Sequence, residues 1–340
     1  MSFLESAWYK KSSWLILLWP IAVLFQLLAK LRRGQQERNR RPPSRQIPVV
    51  IIGNIAVGGT GKTPLLIALA NQLQESGLTP GIISRGYGGN SASYPLLVNT
   101  DCKVVECGDE ALMLAEKTGC PLVIDPDRVA ALEHLLVKTE VDVVLSDDGL
   151  QHYRLARQLE VCVVDGQRLF GNGMCLPAGP LREPISRLEQ VDFIVVNAVD
   201  SALPDSLRLA VPMGLEPKYL INLATDEKRP FSGAPFNMGN VLQAVSAIGN
   251  PQRFYDLLEK LPYQMQPFSF PDHHLFSEED FMSRGIDEHQ PVVMTEKDAV
   301  KCRSFARNNY WYLSTELVLP AEFLNDFVSK VKVLAKDGSS

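Results

Sequence analysis

The stretch from Gly53 to Pro64, GNIAVGGTGKTP, constrains the fold more than any other part of the 340-residue sequence. An apolar run, IPVVIIG, leads into it, and a pattern of helical spacing follows, with apolar residues at Leu65, Leu66, Leu69 and Leu73. Pro64 suits the first turn of such a helix. Because a glycine-rich loop between a strand and a helix is typical of βαβ units, the sequence predicts a parallel sheet covered by helices.

The same loop resembles a phosphate-binding P-loop, G-x-x-x-x-G-K-[ST], and matches its last three positions. In such loops backbone N–H groups surround phosphate, the lysine reaches the outer phosphates, and the hydroxyl holds Mg²⁺. Ala56 stands at the first glycine position, and we expect the glycines at 58 and 59 to restore the backbone freedom. The predicted nucleotide-binding residues are Ala56, Val57, Gly58, Gly59, Thr60, Gly61, Lys62 and Thr63.

Two acidic residues, Asp147 and Asp148, end another apolar run, VDVVLSDDG. A lone Asp-Asp-Gly is usually only a turn, but P-loop enzymes hold Mg²⁺ with an acid at the end of a buried strand. The predicted magnesium site therefore consists of Thr63, Asp147 and Asp148. The string NAVD, Asn197 to Asp200, resembles the guanine-reading Asn-Lys-x-Asp but lacks its lysine, which favours adenine and therefore ATP.

Further apolar runs extend the alternation of strands and helices along the chain. After the first strand, the predicted strands are TPGIISRG, CPLVID, VDVVLSDD, EVCVVDG and VDFIVVN, and then VLQAVSAIGN, MQPFSF and PVVMTEKD. The later helices are predicted at PQRFYDLLEKL and PAEFLNDFVSKVKVLAK. The predicted fold class is α/β: a P-loop-containing α/β/α sandwich with a second, smaller α/β domain and an N-terminal hydrophobic helix.

The predicted organisation has four parts. Residues 1–45 form an N-terminal membrane-associating helix and basic segment, and residues 46–211 form the nucleotide-binding domain. An irregular stretch rich in proline and glycine forms a connector over 212–240, and residues 241–340 form the smaller α/β domain. With 46% hydrophobic residues the chain can bury large cores, and its six scattered cysteines predict reduced, buried thiols.

The amino-terminal segment from Trp14 to Leu31 is apolar except for Gln26 and Lys30. As one helix it would extend about 27 Å, close to the roughly 30 Å of a bilayer core, with Pro20 as a possible kink. The basic residues that follow, which favour the cytoplasmic side of a membrane, are Lys30, Arg32, Arg33, Arg38, Arg40, Arg41 and Arg45. The segment either spans the bilayer, lies in one leaflet, or packs on the protein's own surface.

Several long motifs, taken together and in order, resemble those of the tetraacyldisaccharide 4'-kinase family of lipid A biosynthesis. They are GNIAVGGTGKTP, ISRGYGG, CGDEALMLA, DPDRVAA, SDDGLQHY, LPAGPLREP, GNPQRF, FPDHHLF and MTEKDAVK, spread over most of the chain. The resemblance implies transfer of the γ-phosphate of ATP to the 4'-hydroxyl of an acylated glucosamine disaccharide 1-phosphate, forming lipid IVA. It also implies a location at the cytoplasmic face of the bacterial inner membrane, and the Mg²⁺ predicted above would be the cofactor.

The resemblance also implies the roles of individual residues. Asp109 in CGDE and His273 in FPDHH match the positions of a catalytic pair, with Asp109 as proton acceptor and His273 as its partner; the neighbouring His274 leaves that assignment open by one residue. Taken alone, Asp109 would cap a helix. The residues implied for substrate or transition-state binding are Arg85, Tyr87, Glu110, Arg128, Gln151 and Arg182.

A P-loop NTPase switch or a metallochaperone is the alternative function. That class predicts a guanine motif or clusters of cysteine and histidine, and neither occurs in the sequence. A formal net charge of −5 offers no general attraction to nucleic acid, so we expect none as partner. The expected partners are the lipid substrate and the inner-membrane surface, with no obligate protein partner.

Overall fold

The structure, a computed structural model, describes residues 3–99, 101–198, 203–236 and 240–337. Within these ranges thirteen strands form one sheet: β1 Val49–Gly53, β2 Pro80–Ser84, β3 Leu96–Val98, β4 Leu122–Ile124, β5 Val143–Asp147, β6 Leu159–Asp165, β7 Phe193–Asn197, β8 Val211–Asn222, β9 Lys228–Pro230, β10 Val241–Ser246, β11 Gln264–Ser269, β12 Val292–Thr295 and β13 Tyr310–Val318.

The α-helices of the same ranges are α1 Phe3–Tyr9, α2 Trp19–Arg38, α3 Lys62–Glu75, α4 Val104–Cys107, α5 Asp109–Thr118, α6 Arg128–Lys138, α7 Gln252–Leu258, α8 Glu278–Ser283, α9 Glu296–Cys302 and α10 Ala321–Asp337. Every strand and helix predicted above from β1 onward is present, within a few residues of its expected bounds. The six cysteines are free thiols; Cys102 is half-buried and the others are buried.

The first half of the sheet is a parallel α/β/α sandwich. Strands β6, β1, β5, β2 and β4 are neighbours in that order and run parallel. Because side chains alternate along a strand, Val50 and Ile52 of β1 face α3 and α5, whereas Val49 and Ile51 face α6. The predicted fold class is confirmed. The parallel direction places the carboxyl ends of these strands along one edge.

Strand β8 joins the two halves of the sheet, where the sequence predicted an irregular connector. Its start pairs in parallel with β7, and its remainder pairs antiparallel with β13. The connector prediction is wrong for residues 212–222 and for β9. Two prolines made this strand unrecognisable in the sequence. Pro212 follows the first residue of β8, and Pro217 lies where the β8–β13 register shifts. A strand tolerates proline at both kinds of position. Residues 237–239 of that connector lie outside the described residues.

The last helix returns from the second half of the chain to cover the first. Helix α10 packs Phe323, Phe327 and Val331 into the same hydrophobic cluster as Leu69 of α3 and Phe193 of β7. The ring centroids of Phe193 and Phe323 lie 5.3 Å apart. The sequence placed this helix in the smaller domain, because local spacing identifies a helix but not the surface that it covers. The division into domains stays a prediction.

The amino-terminal segment has an anchored part and an exposed part. Trp8 and Leu15 are buried and pack against Val57 and Leu176. A 3₁₀ turn over Ser13–Leu18 precedes α2, so the single helix predicted from Trp14 is wrong at its start. Pro20 lies in the first turn of α2 and makes no internal kink.

The exposed part of this segment is strongly apolar. Ser13–Arg38 is long and apolar enough to cross a membrane, with a mean hydropathy of 2.0 over its most apolar 18 residues, of which 11% are buried. Its exposed large apolar side chains are Trp14, Ile16, Leu17, Trp19, Ile21, Leu24, Leu27, Leu28 and Leu31.

The α10 contact predicts a stability effect. Phe327 is fully buried, so we expect Phe327→Ala to lower the free energy of unfolding by about 3–5 kcal/mol. Val333 lies on the exposed face of the same helix, and Val333→Ala should change that free energy by less than about 0.5 kcal/mol. Denaturant unfolding of both purified variants measures the difference; equal, small losses would show that α10 does not fasten the two halves.

Candidate active site

The predicted phosphate-binding loop connects β1 to α3, as expected from the sequence. Gly58 and Gly61 have φ angles of 104° and 94°, a region that glycine enters without strain. A Cβ atom on Gly61 would lie 2.4 Å from Asn197 Nδ2, so no larger residue fits there. The Asn197 side-chain amide donates to the Thr60 carbonyl at 3.1 Å, and the Asn54 amide donates to the Gly58 carbonyl at 3.3 Å. Two asparagines therefore hold the loop.

Two of the predicted nucleotide-binding residues lie behind the loop. Ala56 forms a β-bridge with Leu181, and the Val57 N–H donates to the Pro180 carbonyl at 2.9 Å. Neither residue lines the adjacent cavity, because their backbones are used to bind the segment that carries Arg182. The other six predicted residues, from Gly58 to Thr63, do line it.

A cavity of about 1200 Å³ separates the loop from the second half of the protein. Most of the predicted site residues share it. Besides the loop, those that line it are Arg85, Tyr87, Glu110, Arg128, Asp147, Asp148, Arg182 and His273. Asp109 and Gln151 lie just behind this lining. On the far side the cavity is bounded by Ile248, Arg253, Phe254, Asp272, Lys297 and Leu319, among others.

Asp147 and Asp148 lie at the end of β5, beside the loop. Asp147 is buried and accepts a hydrogen bond from Ser84 Oγ at 3.0 Å. Burial, followed by the neighbouring carboxylates of Glu110 and Asp148, raises the pKa of Asp147 to about 6. A buried carboxylate surrounded by like charge favours a cation in its vicinity.

Asp148 is the opposite case. Burial would raise its pKa, but the Lys62 ammonium and then the Arg182 guanidinium outweigh burial and lower it to about 2. Lys62 Nζ lies 3.6 Å from Asp148 Oδ1, and Arg182 Nη1 donates to Oδ2 at 3.1 Å. Its φ angle of 47° is strained for a residue with a side chain, and such strain is concentrated at functional sites.

Arg128 supports the end of β5 from the interior of the protein. The side chain is fully buried, with Nη1 donating to the Asp125 carbonyl at 2.9 Å and Nη2 donating to the Asp147 carbonyl at 3.2 Å. Burial lowers the pKa of Arg128 to about 10. Arg85 is exposed on the cavity wall. Arg128 therefore holds the main chain of the carboxylate pair, while Arg85 and Arg182 have guanidinium groups at the cavity.

Asp109 and His273 meet across the two halves of the protein. His273 Nδ1 lies 3.2 Å from both carboxylate oxygens of Asp109. The side chain of Asp109 is 3% exposed and that of His273 is 20% exposed, so the imidazole lies between the carboxylate and the cavity. The Tyr87 ring packs on its edge, 4.7 Å away. His273, like Asp148, has a strained backbone, with φ of 60°.

His274 does not share this contact. Its ring stacks on Phe270, and its Nε2 lies 3.3 Å from Asp280. Of the two histidines that the sequence left open, the structure places His273 beside Asp109.

Two lysines of α9 complete the charge balance around Asp109. Lys297 Nζ donates to Glu110 Oε1 at 2.9 Å and lies 3.3 Å from His273 Nε2, and Lys301 Nζ lies 3.6 Å from Asp109 Oδ2. Burial would raise the pKa of Asp109, but the hydrogen bond from His273 and the charges of the lysines lower it. Asp109 is therefore ionised at neutral pH.

Sequence reasoning missed Lys297 and Lys301 as site residues. Their four-residue spacing in TEKDAVK puts both on one face of a helix, which was the available signal. It also missed Asn197, which was interpreted only as a strand end. The rest of that string, Val199 and Asp200, lies outside the described residues.

A magnesium site fits the donors at this edge. Among the residues that the structure describes, no group of three or more His, Cys, Asp or Glu side chains forms a closed metal cluster. Mg²⁺ needs none, because it keeps several waters and binds one or two carboxylates plus substrate phosphates. The buried Asp147, with its raised pKa, provides the carboxylate that such an ion would neutralise.

Comparison with known proteins agrees with this geometry. The family model for tetraacyldisaccharide-1-P 4'-kinase matches residues 14–332. The tetraacyldisaccharide 4'-kinase of Nitrosococcus oceani is 46% identical over 97% of this chain and 94% of its own length. That of Pseudomonas aeruginosa is 44% identical over 98% of this chain and 99% of its own length.

A solved structure supports the same relationship. The apo form of LpxK from Aquifex aeolicus in complex with ATP has a TM-score of 0.76 and 25% identity, covering 93% of this chain and 99% of that chain. Sequence and fold therefore agree over almost the whole length. The chain belongs to the tetraacyldisaccharide 4'-kinase family.

Proposed function

We propose that the protein transfers the γ-phosphate of ATP to the 4'-hydroxyl of a tetraacylated glucosamine disaccharide 1-phosphate, forming lipid IVA in lipid A biosynthesis. The observation that carries this proposal is one cavity with a phosphate-binding loop on one wall and the Asp109–His273 pair on the other. Membership of the family supplies the substrate, since its curated members are named for the disaccharide kinase reaction.

The loop and the β5 edge are proposed to hold MgATP. Gly58 to Thr63 would surround the phosphates with backbone N–H groups at the start of α3, where the helix dipole also favours negative charge. Thr63, Asp147 and Asp148 would hold Mg²⁺, which, when bound, neutralises charge on the transferring phosphoryl group. Lys62 reaches the same edge, where it now lies beside Asp148.

The Asp109–His273 pair is proposed to accept the proton of the sugar hydroxyl as a unit. The ionised carboxylate fixes the imidazole by accepting from Nδ1, which leaves Nε2 on the side of Lys297 and the cavity. A sugar hydroxyl is a weak nucleophile, so a positioned acceptor assists its attack on the γ-phosphorus. Because the two residues come from different halves of the protein, the pair depends on the packing of those halves against each other.

The remaining cavity residues are proposed to bind anionic and sugar groups. Arg85 and Arg182 are placed to stabilise the transferring phosphoryl group or the 1-phosphate of the acceptor, since a guanidinium can bind phosphate in a bidentate manner. Arg128 contributes through the main chain of Asp147, and Gln151 through Arg182. Tyr87 and Glu110 lie beside His273 and Lys297, where the sugar hydroxyl must approach.

The exposed apolar segment from Ser13 is proposed to hold this cavity at the cytoplasmic face of the inner membrane. Its bare leucine-rich surface and the basic residues after it suit a bilayer interface, where the acylated acceptor resides. No observation favours the NTPase-switch or metallochaperone alternative.

Loss of the loop lysine should abolish the reaction. We expect Lys62→Ala to lower turnover at least about a hundredfold, because the outer phosphates lose their cation while the surrounding fold is retained. Mass spectrometry of lipid incubated with protein and MgATP detects the added phosphoryl group. A folded Lys62→Ala protein that still turned over normally would contradict the assignment of the loop.

The Asp109–His273 pair predicts non-additive losses. Asp109→Ala and His273→Ala should each remove most of the catalytic rate, and the double variant should lose far less than the product of the two losses. The affinity for ATP should change little in all three, since neither residue lies on the loop. Losses that multiply would show that the two residues act independently.

The two carboxylates of the β5 edge predict opposite effects on stability without Mg²⁺. At pH 8, above the raised pKa of about 6, the buried Asp147 carboxylate opposes folding, so Asp147→Asn should stabilise the protein by about 1–3 kcal/mol. The pKa of Asp148 is lowered, so its ionised form favours folding, and Asp148→Asn should lower the melting temperature. Both should abolish transfer. Thermal melts at pH 8 in EDTA test this; destabilisation by Asp147→Asn would refute the stated cause.

A further inference from the structure

The carboxyl-terminal end of α2 and the residues directly after it bind Tyr153 through three separate contacts. The Arg33 guanidinium lies over the Tyr153 ring, 4.5 Å from its centroid. The Tyr153 N–H donates to Gln36 Oε1 at 3.2 Å, and Arg40 Nε donates to the Tyr153 carbonyl at 3.2 Å. The ring, the amide and the carbonyl of Tyr153 are therefore all bound by the amino-terminal segment that contains α2.

Tyr153 in turn binds a buried carboxylate. It is 4% exposed, and its hydroxyl donates to Glu183 Oε1. Arg187 Nε donates to the same hydroxyl at 3.0 Å, and Arg187 is itself paired with Glu160 at 2.6 Å. Burial and then the charge of Glu183 raise the pKa of Tyr153, so the phenol stays protonated and remains a donor.

Glu183 connects Tyr153 to the proposed active site. Its Oε2 accepts from Gln151 Nε2 at 2.9 Å, and Gln151 Oε1 accepts from Arg182 Nη1 at 3.4 Å. Arg182 Nη1 also donates to Asp148, which lies beside Lys62. Each step is a hydrogen bond or an ion pair, and the groups are buried or half-buried, where such contacts are stronger than in water.

We propose that Tyr153 and Glu183 are positioning residues. When α2 is packed on Tyr153, these two residues hold Gln151 and Arg182 in their positions beside Asp148. Full turnover then requires α2 to be docked on Tyr153. One helix then serves two surfaces: its apolar side faces the lipid, and its polar end supports the position of Asp148. The inference rests on the proposed function of Arg182 and Asp148, and it adds that engagement of the lipid surface and the arrangement of the site are coupled.

Two neighbouring glutamines of α2 allow a matched test. Gln36 accepts a hydrogen bond from the Tyr153 N–H, whereas Gln35 is exposed. Neither carries charge, so Gln36→Ala and Gln35→Ala leave the electrostatic attraction to a membrane unchanged. Tyr153→Phe removes only the hydroxyl and keeps the ring under Arg33. All three full-length variants are compared with the wild-type protein on acceptor lipid in mixed micelles with MgATP.

We expect Tyr153→Phe to lower kcat roughly tenfold to a hundredfold and Gln36→Ala roughly twofold to tenfold, with KM for MgATP within about twofold. Gln35→Ala should match the wild type. Membrane recovery should be equal in all, because the apolar segment is intact. Melting temperatures identify any loss that comes from unfolding, and hydrogen exchange of residues 147–153 should rise in Gln36→Ala and not in Gln35→Ala.

The outcomes separate this inference from the proposed function. If the wild type phosphorylates the lipid and both Tyr153→Phe and Gln36→Ala retain its kcat, the coupling is refuted while the kinase assignment stands. Equal losses in Gln35→Ala and Gln36→Ala would also refute it, since only Gln36 contacts Tyr153. If the wild type makes no phosphorylated lipid, the proposed function fails, and unchanged hydrogen exchange in Gln36→Ala would then refute the coupling by itself.

Discussion

The parallel pairing of β1 with β5 is the constraint on which the rest of the structure depends. Ile52 is in register with Asp147, so the loop that leaves β1 and the acids that end β5 emerge at the same edge. Parallel strands are usually joined by helical crossovers, and α3 starts at that edge, where the first N–H groups of a helix have no partner within the helix. The proposed site for a polyphosphate and its cation depends on this arrangement of loop, helix and strand end.

This edge of the sheet gathers negatively charged carboxylates, and the second half of the protein supplies lysines that neutralise part of that charge. Asp109 and Glu110 belong to α5 in the first half, and their lysine partners Lys297 and Lys301 belong to α9 in the second. A buried carboxylate without a partner is costly, so these contacts favour the packing of the two halves against each other. The continuous sheet through β8 and the return of α10 onto α3 act in the same direction. The halves are therefore fastened by packing on one side and by ion pairs at the site.

Features that depend on neighbouring residues could be predicted from the sequence, whereas features that depend on tertiary contacts could not. The βαβ pattern, the loop at Gly61 and the strand-end acids were visible because glycine, hydrophobic period and acid position are local signals. The strand β8 was hidden because it contains two prolines, of which Pro217 lies at a register shift with β13, a partner almost a hundred residues away in sequence. Lys301 was missed because its partner, Asp109, is distant in sequence. Resemblance of motifs identified Asp109 and His273; burial and spacing alone would have left them as a helix cap and a structural histidine.

The amino-terminal segment combines the composition of a membrane anchor with contacts to the rest of the protein. Its Ser13–Arg38 stretch is long and apolar enough to cross a membrane, yet Trp8 and Leu15 pack against Val57 of the proposed phosphate-binding loop, and Gln36 accepts a hydrogen bond from the Tyr153 N–H. An anchor tied to its enzyme by a flexible linker would raise local concentration only. Under the proposed function, an anchor that packs on the body of the protein also fixes the orientation of the cavity relative to the lipid. That orientation suits the proposed reaction, because an attacking hydroxyl must approach the γ-phosphorus in line with the leaving group, and therefore from one side.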